Sequence, residues 1–234
     1  APSVVAGHSL GEYAALVAAG VMTLHQAAPL VRLRAQAMQD AVPVGTGSMA
    51  AVLGLEAAKV SAICAQVQAE LAADSAAAVE AANFNDPGQT VISGSKAAVE
   101  RACEVLKANG ARRAMLLPVS APFHCRLMLP AAEKLRSALE SITFEAPTIP
   151  LINNVDVAVE VDADKIRDAL YRQAFGAVRW VECVQALKAR GIADVVECGP
   201  GKVLTGMVAR IDAELTGWPL FDPATLAAVE TALA

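Results

Sequence analysis

Apolar and polar positions along the chain fall into blocks whose period changes several times. Ser3-Val4-Val5-Ala6-Gly7 is a short apolar run ending in glycine, which predicts a buried strand. Gly11 to Ala19 then has helical texture and stops at Gly20, where helices prefer glycine. Thr23 and Gln26 have the spacing of a capping box, so a second helix is expected to run to about Ala41. Pro29 falls inside it, and a kink is expected near His25–Pro29.

From Gly45 the texture changes. Ser48–Gly54 reads as a strand, Glu56–Ala72 as an alanine-rich helix and Val79–Asn85 as a strand. Asp86-Pro87-Gly88 makes a turn, followed by strand Gln89–Gly94, helix Lys96–Asn109 and strand Arg112–Val119. The order βαββαβ is the ferredoxin-like arrangement. Its position between helical segments predicts an inserted subdomain at residues 45–119, within a larger domain made of residues 1–44 and 120–234. Beyond Pro122, helix Leu127–Ile142, strand Ile149–Asn153, helices Ala163–Tyr171 and Trp180–Ala189, strand Asp194–Glu197 and a helix from near Lys202 follow in turn. Such alternation implies a parallel sheet with helices on its faces, so the expected class is α/β.

Composition narrows the function classes. At 234 residues and 55% hydrophobic, the chain can bury a real core without disulfide staples. A mean hydropathy of +0.44 raises the question of a membrane span. The best uncharged stretch, Tyr13 to Val31, is broken by Gly20, Thr23, His25, Gln26 and Pro29, so no span is expected. No charged segment followed by an apolar one opens the sequence, which begins without Met. Five scattered cysteines without CxxC spacing read as reduced thiols of a cytoplasmic protein, and no metal site is expected. A net charge of −5 and the lack of a basic stripe with aromatics argue against nucleic acid.

Gly7-His8-Ser9-Leu10-Gly11 matches G-x-S-x-G between a candidate strand and a candidate helix, the context of a nucleophile elbow. Two glycines would permit a tight turn that pushes the Ser9 oxygen outward, with the Leu10 N–H facing the same space as an oxyanion donor. Of three histidines, His8 is adjacent to Ser9 and points elsewhere, and His25 lies in a first helical turn. His124 sits at the seam after the inserted unit, where catalytic groups tend to lie. Arg32 and Arg34 are two apart on a helix whose buried stripe would be Leu30, Leu33, Ala37 and Met38. Spacing alone favours two solvated arginines. Gly199-Pro200-Gly201-Lys202 fails the phosphate-loop pattern, with Val196 where a glycine belongs and Val203 after the lysine. Asn153-Asn154-Val155-Asp156 could line a site, though turn chemistry is the favoured reading.

These blocks occur in a familiar order: Gly7 to Tyr13, Arg34 with Met38-Gln39, Asn83-Phe84-Asn85-Asp86-Pro87-Gly88-Gln89, Pro122-Phe123-His124-Cys125, Asn153 to Asp156, and Gly199 to Leu204. Together they closely resemble the malonyl-CoA:acyl-carrier-protein transacylases over nearly the whole chain. The resemblance implies an α/β-hydrolase-like domain with a ferredoxin-like insertion, which agrees with the order read above. It implies Ser9 as nucleophile and His124 as base, oriented by a backbone carbonyl where Gln173 stands, with Asn85 in a supporting place. Arg34 would pair with the malonyl carboxylate, and Phe123 stands where a bulky residue favours malonyl over methylmalonyl.

The implied partners are malonyl-CoA and acyl carrier protein, the chain a monomer, with the coenzyme A thioester as substrate and no cofactor. Lys107, Arg112, Arg113, Lys202 and Arg210 are candidate contacts for an acidic carrier. The family also has a further N-terminal segment, with a glycine-rich turn and a glutamine whose N–H completes the oxyanion hole. Nothing in this sequence corresponds to it. A serine esterase or thioesterase shares the elbow, but no histidine follows His124. The other alternative is a non-catalytic protein that binds acyl-CoA or carrier protein.

Overall fold

The computed structural model describes residues 1–234, which form two compact units, Ala1–Trp180 and Val181–Ala234. The first unit opens with strand β1 (Val5–Ala6) and helices α1 (Leu10–Ala18) and α2 (Leu24–Gln39). The capping box at α2 is complete: Gln26 N–H donates to Thr23 Oγ1 at 3.2 Å, and Thr23 N–H donates to Gln26 Oε1 at 2.8 Å. Helix α2 continues unbroken through Pro29 for 16 residues. Its buried stripe is Ala27, Leu30, Arg34, Ala37 and Met38, whereas Leu33 is exposed. Arg34 takes the inward place because it stands four residues from both Leu30 and Met38, on one helical face.

Next come β2 (Gly47–Leu53), α3 (Ala57–Glu70), β3 (Val79–Asp86), β4 (Gln89–Ser95), α4 (Lys96–Ala108) and β5 (Arg113–Leu116). The four strands form one sheet in the order β3-β4-β2-β5, every neighbour antiparallel. Each βαβ connection therefore skips one strand, as in the ferredoxin-like arrangement. Its core is apolar: Ala50, Val52, Ile92 and Ala114 from the strands pack on Val60, Ile63, Val67, Val99, Ala102 and Leu106 from the helices. The fourth strand is half the predicted length. Leu117 N–H still donates to the Met49 carbonyl of β2 at 2.8 Å, and the chain then runs on to the turn that carries His124.

A short 3-10 turn (Arg126–Met128) leads into α5 (Leu129–Glu140), then β6 (Leu151–Ile152) and α6 (Ala163–Phe175), with Trp180 opening α7 (Trp180–Ala189). β6 lies parallel to β1, pairing Val5 with Leu151. Tyr13, Leu16, Leu30, Leu135, Leu139, Phe144, Ile166 and Leu170 make the main core of this part.

The second unit holds the rest of α7, β7 (Asp194–Cys198), α8 (Val203–Ile211), β8 (Thr216–Leu220) and α9 (Pro223–Ala232). β7 and β8 are parallel. Strand β8 and helix α9 are absent from the sequence-based reading, because Thr-Gly-Trp-Pro-Leu carries a glycine and a proline that normally mark a loop. The architecture is thus mixed α/β, with parallel strand pairs and a separate antiparallel sheet. No helix is long and apolar enough to cross a membrane.

Candidate active site

Ser9 stands at the sharp turn between β1 and α1 with φ of 53°, a conformation that costs energy for a residue with a side chain. Gly7 makes the turn possible: a Cβ there would lie 2.0 Å from the backbone of Gly11. The second glycine of the motif has no such role, since nothing lies within 4 Å of a Cβ placed on Gly11. Leu10 is the first residue of α1, so its N–H belongs to the group that a helix leaves without an internal acceptor.

His124 also has positive φ, 60°, in a turn braced by the Cys125 thiol donating to the Pro122 carbonyl. Its Nδ1 lies 2.9 Å from the Gln173 backbone oxygen, which can only accept. Nδ1 therefore carries the proton, leaving Nε2 as the acceptor for the Ser9 hydroxyl at 2.7 Å. Burial, helped by the nearby Arg34 charge, pushes the His124 pKa down to about 3, so the ring is neutral near pH 7. Arg34 is 7% exposed and donates from Nη2 to Ser9 Oγ at 2.9 Å and to Gln173 Oε1 at 3.1 Å. Its Nε is buried without an acceptor, which leaves one edge of the guanidinium suited to an anion.

A serine hydroxyl that donates to a neutral imidazole and accepts from a guanidinium is arranged to lose its proton and attack an electrophile. The histidine is supported by a backbone carbonyl, with no carboxylate hydrogen-bonded to it. No three or more His, Cys, Asp or Glu side chains gather to hold a metal.

Comparisons with known proteins agree with this chemistry. A family profile described as acyl transferase domain matches residues 1–213. The malonyl CoA-acyl carrier protein transacylase of Escherichia coli strain K12 is 51% identical over 228 residues, spanning 97% of this chain and 72% of that protein. The chain belongs to this transacylase family. A crystal structure of an acyl-carrier-protein S-malonyltransferase from Burkholderia pseudomallei 1710b is similar with a TM-score of 0.94 and 56% identity, covering 98% of this chain and 73% of that one. A type II PKS acyl-carrier protein in complex with its malonyl-transacylase gives the same TM-score at 48% identity, over 99% of this chain and 73% of that one.

Of the residues singled out from the sequence, Ser9, His124, Arg34 and Gln173 are joined by hydrogen bonds, and Leu10 follows Ser9 as the first residue of α1. Asn85 stands one step back, accepting from His8 Nε2 at 2.9 Å, while the His8 ring packs edge-on against Trp180. Burial lowers the His8 pKa, so it too is neutral. Phe123 bonds to none of these groups. It is half-buried between Ala37, Met38 and Met128 on one side and Met49, Ala82 and Val91 on the other.

Three features escaped the sequence reading. Asn154, assigned there to a turn, is fully buried. It accepts from Ser9 N–H at 2.7 Å and donates to the Gly7 carbonyl at 2.8 Å, clamping both sides of the elbow. Glu12 is buried beneath the same turn and accepts from Asn154 N–H and Gln173 Nε2, each at 2.9 Å. The Gln173 side chain, not only its backbone, belongs to the network. A single signal could have exposed Glu12: it is a charged residue on a helix otherwise apolar, Leu10-Gly11-Glu12-Tyr13-Ala14-Ala15-Leu16.

Proposed function

We propose that this chain transfers a malonyl group from coenzyme A to the phosphopantetheine thiol of acyl carrier protein, through a malonyl ester on Ser9. The observation that carries the reading is the 2.7 Å contact from Ser9 Oγ to a neutral His124, with the Arg34 guanidinium 2.9 Å from the same oxygen. His124 Nε2 takes the Ser9 proton as Oγ attacks the thioester carbonyl. The oxyanion gains the Leu10 N–H at the helix start. The intermediate collapses, His124 returns its proton to the departing thiolate, and coenzyme A leaves. The carrier thiol then attacks the malonyl ester with His124 again removing a proton, which regenerates Ser9. The chemistry draws on the thioester and these side chains, without metal or organic cofactor.

Selectivity follows from Arg34. A malonyl carboxylate accepts a paired hydrogen bond from the guanidinium, including the Nε that has no acceptor. An acetyl group leaves that donor buried and unsatisfied, which costs far more than the lost contact alone. Phe123 adds bulk against an α-methyl group. In this reading residues 45–119 are the inserted subdomain, and 1–44 with 120–234 form the acyltransferase part. The five free thiols suit a cytoplasmic setting.

Intact-mass spectrometry after brief incubation with malonyl-CoA, and separately with acetyl-CoA, tests the reading. A malonyl adduct is expected on the wild-type chain, weaker acetyl labelling, and no adduct on Ser9→Ala. Folded wild-type protein that takes up no malonyl would refute the assignment.

A further inference from the structure

Gln173 has two tasks that depend on which way round its side-chain amide lies. Its Nε2 faces the Glu12 carboxylate at 2.9 Å and the Ser9 carbonyl at 3.1 Å, both of which only accept. The amide oxygen is therefore turned to Arg34, where it accepts from Nη2 at 3.1 Å. Were the amide reversed, two NH groups would face each other at Arg34, and Glu12 would face an oxygen. Gln173 also supplies the backbone carbonyl that holds His124. Glu12 in turn holds the backbone of Asn154, whose side chain holds Ser9. One carboxylate thus stands behind nucleophile, base and arginine, though it makes no hydrogen bond to the Ser9 hydroxyl, the His124 ring or the guanidinium.

We propose that Glu12 is a positioning residue: its carboxylate sets the polarity of the Gln173 amide, and through it aims Arg34 at the malonyl carboxylate. Burial is the main influence on both groups: it lowers the Arg34 pKa, which Glu12 and Tyr13 oppose, and raises Glu12 to about 7. Both bonds reach the same oxygen, Glu12 Oε2, so glutamine can keep them through its own Oε1, whereas leucine removes the acceptor. A role in packing alone would change both acylation rates together; a polarity-setting role changes their ratio.

The inference rests on the proposed malonyl transfer, and its test separates the two. Rates of Ser9 acylation by malonyl-CoA and acetyl-CoA are measured on the wild-type chain, Glu12→Leu, Glu12→Gln and Gln173→Leu. If the wild type forms no malonyl-serine, the functional reading falls and this inference with it. Where the wild type is labelled, Glu12→Leu is expected to lower the malonyl-to-acetyl rate ratio by about tenfold to 100-fold, the scale of a misaimed binding group. Gln173→Leu should lower that ratio as much, and Glu12→Leu added to Gln173→Leu should lower it little further. Glu12→Gln, which keeps an acceptor oxygen, should retain the ratio even where it slows both reactions. The proposal is overturned by a Glu12→Leu ratio that stays at the wild-type value, or by losses that multiply in the double variant. Should Glu12→Leu fail to fold, a collapsed ratio in Glu12→Gln or an unchanged ratio in Gln173→Leu overturns it equally.

Discussion

Two glycine-bearing strand-to-helix turns in this chain invite a functional reading, yet they are built in opposite ways. At Ser9 the turn is clamped from beneath by Asn154, Gln173 and Glu12, and Gly7 allows the strand end to touch the helix start. At Gly199-Pro200-Gly201-Lys202 both glycines have positive φ, 149° and 119°, and no atom lies near their missing Cβ positions. Glu197 accepts from Leu204 N–H at 3.1 Å and from Thr205 N–H and Oγ1 at 2.6 Å, so its carboxylate fills the end of α8. Burial raises the Glu197 pKa, but these donors outweigh it and hold it below the usual range. In the proposed reaction, the first turn would present its helix start to a charge that exists only during turnover. The second has a resident anion there, which is the physical reason it is no phosphate loop. Glycine spacing does not separate a site from a cap; the fate of the first free N–H groups does.

The contrast can be broken at several points. The largest effect is expected at His124, the neutral ring that faces Ser9 and is proposed as its base. His124→Gln should slow Ser9 acylation by about 10²–10⁴-fold in single-turnover assays. In the wild type, the His124 ring proton should hold its neutral chemical shift down to about pH 5, where an ordinary histidine is charged. The sign follows from a folded pKa of about 3 against 6.5 unfolded. Below 6.5 the unfolded chain binds a proton that the native ring refuses, so this group's stabilising contribution is lost as pH falls toward 3. A histidine titrating at 6.5 in the native spectrum, with none displaced, would contradict the neutral-base geometry.

The two glycines of the serine motif come next. Gly7→Ala should destabilise by about 3 kcal/mol, since its Cβ meets rigid backbone. Gly11→Ala, in open space within α1, should stabilise by about 0.5–1 kcal/mol. Urea unfolding of the pair decides it, and equal effects would show that the turn is not packed as described. The smallest effect belongs to the other turn. Glu197→Ala should cost about 1–2 kcal/mol through the lost cap and speed hydrogen exchange at Leu204 and Thr205, leaving Ser9 acylation unchanged. A slowed acylation rate would mean that the second turn does serve the reaction.

Much of the fold was legible because periodicity reports burial directly. The βαββαβ order, the capping box at Thr23 and the elbow at Ser9 all follow from local patterns of a few residues. Strand β8 was hidden because Gly217 and Pro219 mark loops in most settings, and only pairing with β7 makes that segment a strand. The site divides in the same way. Ser9 declared itself through its own turn, whereas Arg34 looked solvated on spacing alone, and only the resemblance of the ordered motifs singled it out. Glu12 and Asn154 are 142 residues apart, and nothing local to either announces the other.

The sequence by itself determined most of the helices and strands up to α8, where the strained serine turn falls, and, through its ordered motifs, the family. Tertiary structure alone decided which histidine nitrogen accepts from Ser9 and which carboxylate stands behind the site. The physical reason is range. Backbone conformation and amphipathicity act over a few residues, whereas desolvation and hydrogen-bond polarity depend on groups that meet only once the chain has folded.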